Sequence, residues 1–148
     1  MKDLKPENPS WMVIAENERD VAEIRNGENP RIIEYHRATL LNAKNDETPW
    51  CSSFVNWVLK QAGFEITKSA AARSWLKYGE VLDKPKFGAV TILSRGSNVL
   101  SGHVGFYYGQ KDKDNFFLLG GNQSDKVSVQ IFPNNRILGF RWPLKKGE

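Results

Sequence analysis

The chain has 148 residues, of which 40% are hydrophobic and 26% are charged, and its formal net charge is +4. This length corresponds to one domain, and the apolar content is enough to bury a core without a metal or disulfide. The composition excludes a disordered or collagen-like chain, and a single cysteine excludes an internal disulfide and a cysteine-rich metal site. We therefore expect one domain over residues 1–148, with flexible ends at 1–10 and 144–148.

The distribution of charged and apolar residues along the chain indicates which partners and which location to expect. The basic residues are dispersed apart from Lys145 and Lys146, which argues against nucleic acid as a partner. The excess of positive charge serves either solubility or attraction to an anionic polymer. The N-terminus lacks the apolar run of a signal peptide, and no window is long and apolar enough for a membrane span. The sequence thus predicts a protein made in the cytoplasm, with no membrane insertion, metal or cofactor.

The first half of the chain carries the signals of four helices. Apolar residues recur at one-sided helical spacing, and Asn29-Pro30 and Thr48-Pro49 each combine a good N-cap with a proline that suits the first helical position. Glycine ends the third and fourth segments. The expected bounds are Trp11 to about Arg25, Arg31 to about Leu41, Thr48 to Gly63, and about Ser69 to Tyr78.

The second half carries the signals of five strands. Each is short, rich in Val, Ile, Phe and Tyr, and bounded by turn residues. The expected strands are Ala89–Leu93, His103–Tyr108, Phe116–Leu119, Val127–Phe132 and Leu138–Trp142. Helices followed by strands predict an α+β domain in which N-terminal helices pack against a C-terminal antiparallel β-meander.

The only sulfhydryl group falls at the start of the third helix. With Thr48 as N-cap, Cys51 is the third helical residue, within the first turn. The free amides and the positive end of the helix dipole favour a thiolate there, and a thiolate is the nucleophilic form of cysteine. The alternative is a buried cysteine that acts as a small apolar residue.

A cysteine nucleophile needs a base, and the chain offers two histidines. His36 lies within the second predicted helix and is expected to be an ordinary surface or packing residue, whereas His103 begins a predicted strand between two glycines. Asn122 and Gln123 follow the next strand, close enough in a meander for a carboxamide to orient the His103 ring. Asp125 is a weaker candidate, and the same string also fits a simple turn.

These segments together resemble a known family. Trp50-Cys51-Ser52-Ser53-Phe54-Val55, Gly102-His103-Val104-Gly105 and Gly121-Asn122-Gln123 are similar to motifs of the NlpC/P60 and CHAP cysteine peptidases, the papain-like cell-wall amidases. A small bacterial and phage subfamily has Pro-Trp-Cys, Gly-His-Val-Gly and Gly-Gly-Asn-Gln in this order. The resemblance spans roughly Trp11 to Pro143 and implies a papain-like, NlpC/P60-type fold.

The resemblance also implies the roles of individual residues. Cys51 would be the nucleophile, His103 the general base and acid, and Asn122 the residue that orients the ring. Asn45 lies near the spacing of the side-chain amide that helps papain-like enzymes stabilise the oxyanion. The other candidate oxyanion or substrate-binding residues are Trp50, Ser52, Trp75 and Gln123. Trp50, Trp75 and Tyr107 could line a cleft, although large aromatics are usually core residues.

The function implied is hydrolysis of an amide bond in peptidoglycan, through a thioester on the cysteine. The substrate would be a stem peptide or cross-bridge. The enzyme would belong to a phage, a prophage or an antibacterial effector and reach the wall by lysis or injection; a secreted toxin would also have an immunity protein as partner. Two alternatives stay open at this point: a catalytically silent wall-binding module, and a cysteine transferase or deamidase that acts on proteins.

Overall fold

The computed structural model describes residues 9–24, 27–40 and 50–146. Within them the chain forms three α-helices and one longer 3₁₀ helix before the main sheet begins. Their bounds are α1 Ser10–Asn17, α2 Pro30–His36, α3 Cys51–Gln61 and the 3₁₀ helix Ala72–Lys77. The four helical segments predicted from the sequence are therefore present, but three of them are shorter than expected and the fourth is 3₁₀ rather than α.

Two predicted helix signals are confirmed. The Asn29 side chain accepts a hydrogen bond from the Arg31 N–H, and Pro30 occupies the first helical position of α2. Gly63, at φ +85°, follows the end of α3. The predicted end of the first helix at about Arg25 is wrong, because the chain leaves the helix after Asn17 and pairs with a strand instead.

That early end of α1 has a tertiary cause. Asp20 has φ +78°, and its N–H donates to the Val127 carbonyl, while the Val127 N–H donates to the Val21 carbonyl. Ala22 forms an isolated bridge with Lys126. The segment after α1 thus hydrogen-bonds to the edge of the sheet, and this outweighs its helical pattern.

Six antiparallel strands form one sheet beneath the helices. Their bounds are β1 Glu80–Leu82, β2 Val90–Ser94, β3 Gly102–Gln110, β4 Asn115–Gln123, β5 Lys126–Pro133 and β6 Ile137–Trp142. The order across the sheet is β1-β6-β2-β3-β4-β5. The α+β class is confirmed. The simple five-strand meander is corrected, because only β2 to β5 follow one another, β6 returns to pair with β2, and β1 was not anticipated.

Helix α3 forms the centre of the core. Every residue from Cys51 to Leu59 is buried, and the helix packs against α2 on one side and against β3 and β4 on the other. Burial on all sides fits the many apolar and small residues of this stretch, and its buried polar residue Asn56 hydrogen-bonds to the Ser52 and Ser69 carbonyls and to the Lys68 N–H. The arrangement fixes the first turn of α3, with Cys51, above the middle strands of the sheet.

The C-terminal segment is attached to the loop after α3. Lys145 forms an isolated bridge with Phe64, the Glu65 N–H donates to the Leu144 carbonyl, and the Lys146 N–H donates to the Gly63 carbonyl. Residues 144–146, which were expected to belong to a flexible end, are therefore hydrogen-bonded to the domain.

Among the described residues, the structure contains no helix of the length and apolarity needed to cross a bilayer.

Candidate active site

The first turn of α3 holds the cysteine. The Phe54 N–H donates the first helical hydrogen bond to the Trp50 carbonyl at 2.9 Å, so Trp50 is the N-cap and Cys51 the first helical residue. This corrects the expected start at Thr48 and Pro49, which lie outside the described residues. Cys51 remains in the first turn, where its backbone N–H has no partner within the helix.

Trp50 anchors that turn. Its side chain is fully buried, stacks on Tyr35 at 5.8 Å, and donates from Nε1 to a Glu23 carboxylate oxygen at 2.8 Å. Strand β4 passes so close that a Cβ on Gly121 would lie 2.8 Å from the Trp50 ring and from Phe54. Only glycine permits this approach, which brings the end of β4 beside the cysteine.

His103 and Gln123 form a buried pair near the cysteine. Nε2 of His103 lies 2.9 Å from Oε1 of Gln123, and the two side chains are 2% and 4% exposed. The Gln123 amide nitrogen donates to the carbonyls of Leu118 and Ser128, at 3.1 and 2.8 Å, which identifies Oε1 as the atom facing the ring. Because Oε1 can only accept, Nε2 carries the proton and Nδ1 is left as the basic nitrogen.

Nδ1 of His103 is the ring nitrogen available to the sulfur. It makes no hydrogen bond with any of the described residues, although it is buried. Burial alone would raise the pKa of the Cys51 thiol, but the hydrogen-bonding and charge interaction with His103, the Val104 N–H and the charge of Arg95 together lower it below its ordinary value. The ring is thus close enough to stabilise the thiolate, in a contact that is looser than a formed hydrogen bond, as is common in free enzymes.

The side chain that hydrogen-bonds to the His103 ring is that of Gln123 and not that of Asn122. Phe106 pairs with Leu119 in the sheet, and a regular continuation of that register would place Asn122 opposite His103. Strand β4 instead contains one extra residue between Gly120 and Gln123, and Asn122 has φ +59°. This bulge advances the chain by one residue and places Gln123 against the ring.

Other candidate residues occupy different places. Ser52 and Trp75 are fully buried, and Nε1 of Trp75 donates to the Ser52 hydroxyl at 2.9 Å, so both side chains pack in the core with Trp50. Tyr107 is also buried, in a second cluster. Asn45 lies outside the described residues. Asn122 lines an open cleft beside His103.

His36, expected at the surface or in packing, is a fully buried packing residue. Its Nδ1 lies 2.8 Å from the Ser53 hydroxyl, which joins the end of α2 to the first turn of α3.

The open cleft brings together residues that the sequence did not single out. It has a volume of about 660 Å³, and His103, Asn122 and Gln123 line it together with Phe132, Arg95 and Arg136. Arg95 follows β2 and Arg136 precedes β6, so only the pairing of those two strands makes them neighbours. Among the described residues, no group of His, Cys, Asp and Glu is arranged to hold a metal ion.

Comparison with known proteins adds one finding. The CHAP domain family matches residues 43–122, a little more than half of the chain, and this range includes both Cys51 and His103. No curated protein matches the chain.

Proposed function

Because the chain belongs to the CHAP domain family, whose members are typically cysteine- and histidine-dependent amidohydrolases or peptidases of peptidoglycan, we propose that it is a cysteine hydrolase that cleaves an amide bond in peptidoglycan. Cys51 is the nucleophile, His103 the general base and acid, and Gln123 the residue that positions the ring. The observation that carries this proposal is the Gln123 bond to Nε2, because it leaves Nδ1 to face a thiol whose pKa is lowered.

The reaction proceeds by acyl transfer. Nδ1 of His103 takes the proton of the Cys51 thiol, and the sulfur attacks the amide carbonyl carbon and forms a C–S bond. The C–N bond then breaks as Nδ1 gives that proton to the leaving amine. In the second half, Nδ1 takes a proton from water, the resulting hydroxide attacks the thioester, and the C–S bond breaks to release the acid and the thiolate. Gln123 accepts from Nε2 throughout and so holds the ring in one orientation.

In both halves of the reaction, the negative charge that develops on the substrate carbonyl oxygen needs hydrogen-bond donors. The Cys51 backbone N–H, free at the first position of α3, is the donor that this chain provides next to the sulfur. The side-chain amide of Asn45 stays a prediction for the second donor.

The experiment that tests the function is digestion of purified peptidoglycan, followed by mass spectrometry of the released fragments. The wild-type protein should release fragments with new amino and carboxyl ends, and Cys51→Ala should release none. Equal fragment patterns from the two proteins would contradict a cysteine hydrolase, and hydrolysis of protein amides with an intact peptidoglycan would favour a deamidase instead.

The lytic role is a further part of the proposal. A peptidoglycan hydrolase is harmless in the cytoplasm, where its substrate is absent, and harmful once it reaches the wall, as in a phage enzyme or an injected effector. Expression behind a periplasmic leader should lyse bacteria, while cytoplasmic expression and the exported Cys51→Ala variant should not. Survival of cells that export the active enzyme would contradict this role.

A further inference from the structure

The described residues that line the cleft beside His103 include two arginines and no acidic residue. Among the described residues that line it, Arg95 and Arg136 are the charged groups with a permanent charge, and Asn122, Ser124 and Gln130 supply neutral polar atoms. None of the ion pairs found between described residues includes either arginine. A cleft with two guanidinium groups and no carboxylate has a field that favours an anion.

Arg136 is held in place rather than free. Its Nε donates to the Ser94 carbonyl at 3.0 Å, and its guanidinium lies 5.2 Å from the centre of the Phe132 ring. Phe132 in turn packs against the His103 ring at 5.4 Å. Because the Nε bond uses only one of its donors, the terminal nitrogens remain for a ligand one aromatic ring away from the catalytic base.

Arg95 brings a second positive charge to the same place. Its charge lowers the pKa of Cys51, and it contributes to lowering the pKa of Arg136, of which burial is the larger cause. Arg95 lines the same cleft as His103 and Arg136. Two like charges that repel each other in this way are relieved by an anion placed between them.

We propose that Arg95 and Arg136 form a carboxylate-binding subsite, so that the preferred substrate is a peptide with a free carboxylate close to the scissile amide. This inference rests on the proposed hydrolase function and adds the substrate class. Arginine suits the role because its planar fork matches the two oxygens of a carboxylate. The subsite would hold the substrate so that its amide carbonyl lies next to Cys51.

The test measures binding with catalysis removed. The probe is a set of soluble stem peptides released from purified peptidoglycan, used as free acids and after amidation of their carboxyl groups, and each is titrated against Cys51→Ala by calorimetry. The free acids should bind at least about tenfold more tightly than the amidated peptides. Adding Arg95→Gln and Arg136→Gln to Cys51→Ala should abolish that preference, whereas adding Arg37→Gln, an exposed arginine outside the cleft, should preserve it.

The outcomes separate this inference from the function on which it rests. Equal affinity for acid and amide, no binding of either, or a preference that survives both arginine substitutions would overturn the subsite, whatever the wild-type protein hydrolyses. Failure of the wild-type protein to cleave peptidoglycan, with the carboxylate preference intact, would overturn the hydrolase function and leave the subsite standing.

Discussion

Two regions of the molecule each hold a buried histidine. His36 lies where α2 meets α3, has no exposed surface, and contacts the Ser53 hydroxyl through Nδ1 at 2.8 Å. His103 lies on β3, is 2% exposed, and contacts the Gln123 amide oxygen through Nε2 at 2.9 Å. Burial and one short hydrogen bond to a neutral side chain are therefore common to both.

The difference lies in what surrounds the ring. His103 lines an open cleft, and its other nitrogen faces the one thiol of the chain. His36 joins two packed helices and belongs to the core. Burial and a hydrogen bond to the ring are thus insufficient for catalysis; a base also needs a nucleophile and a route for substrate. Four predictions test this contrast between the two regions.

The largest expected effect is the loss of the base. His103→Ala should lower kcat/KM for peptidoglycan cleavage by about 10²–10⁴, because the proton transfers in both halves of the reaction lose their group. The measurement is the initial rate of amine release, with folding checked by circular dichroism. Combining His103→Ala with Cys51→Ala should add little, since the two side chains act as one unit. A folded His103→Ala protein with near-wild-type activity would show that His103 is not the base and that the two histidines do not differ in role.

A smaller effect is expected from loss of the ring's partner. Gln123→Ala should lower kcat roughly 10- to 100-fold with little change in KM, because the ring loses its orientation but keeps its proton chemistry. Gln123→Glu should retain more activity, since a carboxylate oxygen accepts the same bond. Asn122→Ala is the matched control, one residue earlier in β4, and its kcat should stay near that of the wild type. The reverse ranking would return the orienting role to Asn122.

Thiol reactivity gives the third test. A lowered pKa means that Cys51 is ionised at a lower pH than an ordinary thiol, so half-maximal alkylation by iodoacetamide should occur below pH 9.0, the ordinary value for cysteine. In His103→Ala the main opposing interactions are gone and burial dominates, so the midpoint should move upward. Mass spectrometry reads the modification unambiguously because the chain has one cysteine. A midpoint unchanged by His103→Ala would contradict the pairing.

The smallest effect on activity should come from the other histidine. His36→Ala should leave kcat/KM per folded molecule within a few-fold of the wild type. It should lower the free energy of unfolding by about 1–3 kcal/mol, because the Ser53 hydroxyl is left buried without this partner. Urea denaturation measures the loss. A large drop in turnover at unchanged stability would show that the region around α2 contributes to the chemistry.

Much of the architecture could be predicted because its signals are local. Asn29-Pro30 and Gly63 mark helix ends through their own backbone chemistry, and the five long strands follow from runs of β-branched and aromatic residues. The end of α1 and the short strand β1 could not be predicted from the sequence, because both depend on pairing with distant segments. Tertiary hydrogen bonds outweighed local pattern at each of them.

The residues of the candidate site also divide into those that the sequence indicated and those that only the folded structure brings together. Cys51 and His103 were identifiable by residue type at the start of a helix and in a glycine-flanked strand. In a regular ladder Asn122 would lie opposite His103, but one extra residue in β4 places Gln123 against the ring instead. Arg95 and Arg136 had no sequence signal, since the connection between them is made only when β6 returns to β2.

The link from β4 to β5 contains neither of the two residues that suit its turn best, asparagine and glycine. Gln123 pairs with Lys126, so Ser124 and Asp125 form a two-residue hairpin loop, and both have positive φ, as a type I′ turn requires. Asn-Gly is the sequence that suits such a loop. A left-handed conformation costs roughly 1 kcal/mol for a residue such as Ser124, and less for aspartate, whose short polar side chain tolerates it. This hairpin therefore gives up local stability directly beside the positioning glutamine. Exchanging the two loop residues for Asn-Gly should raise the melting temperature. Ser124 also lines the cleft, so its replacement would change the surface that faces the substrate as well as the stability.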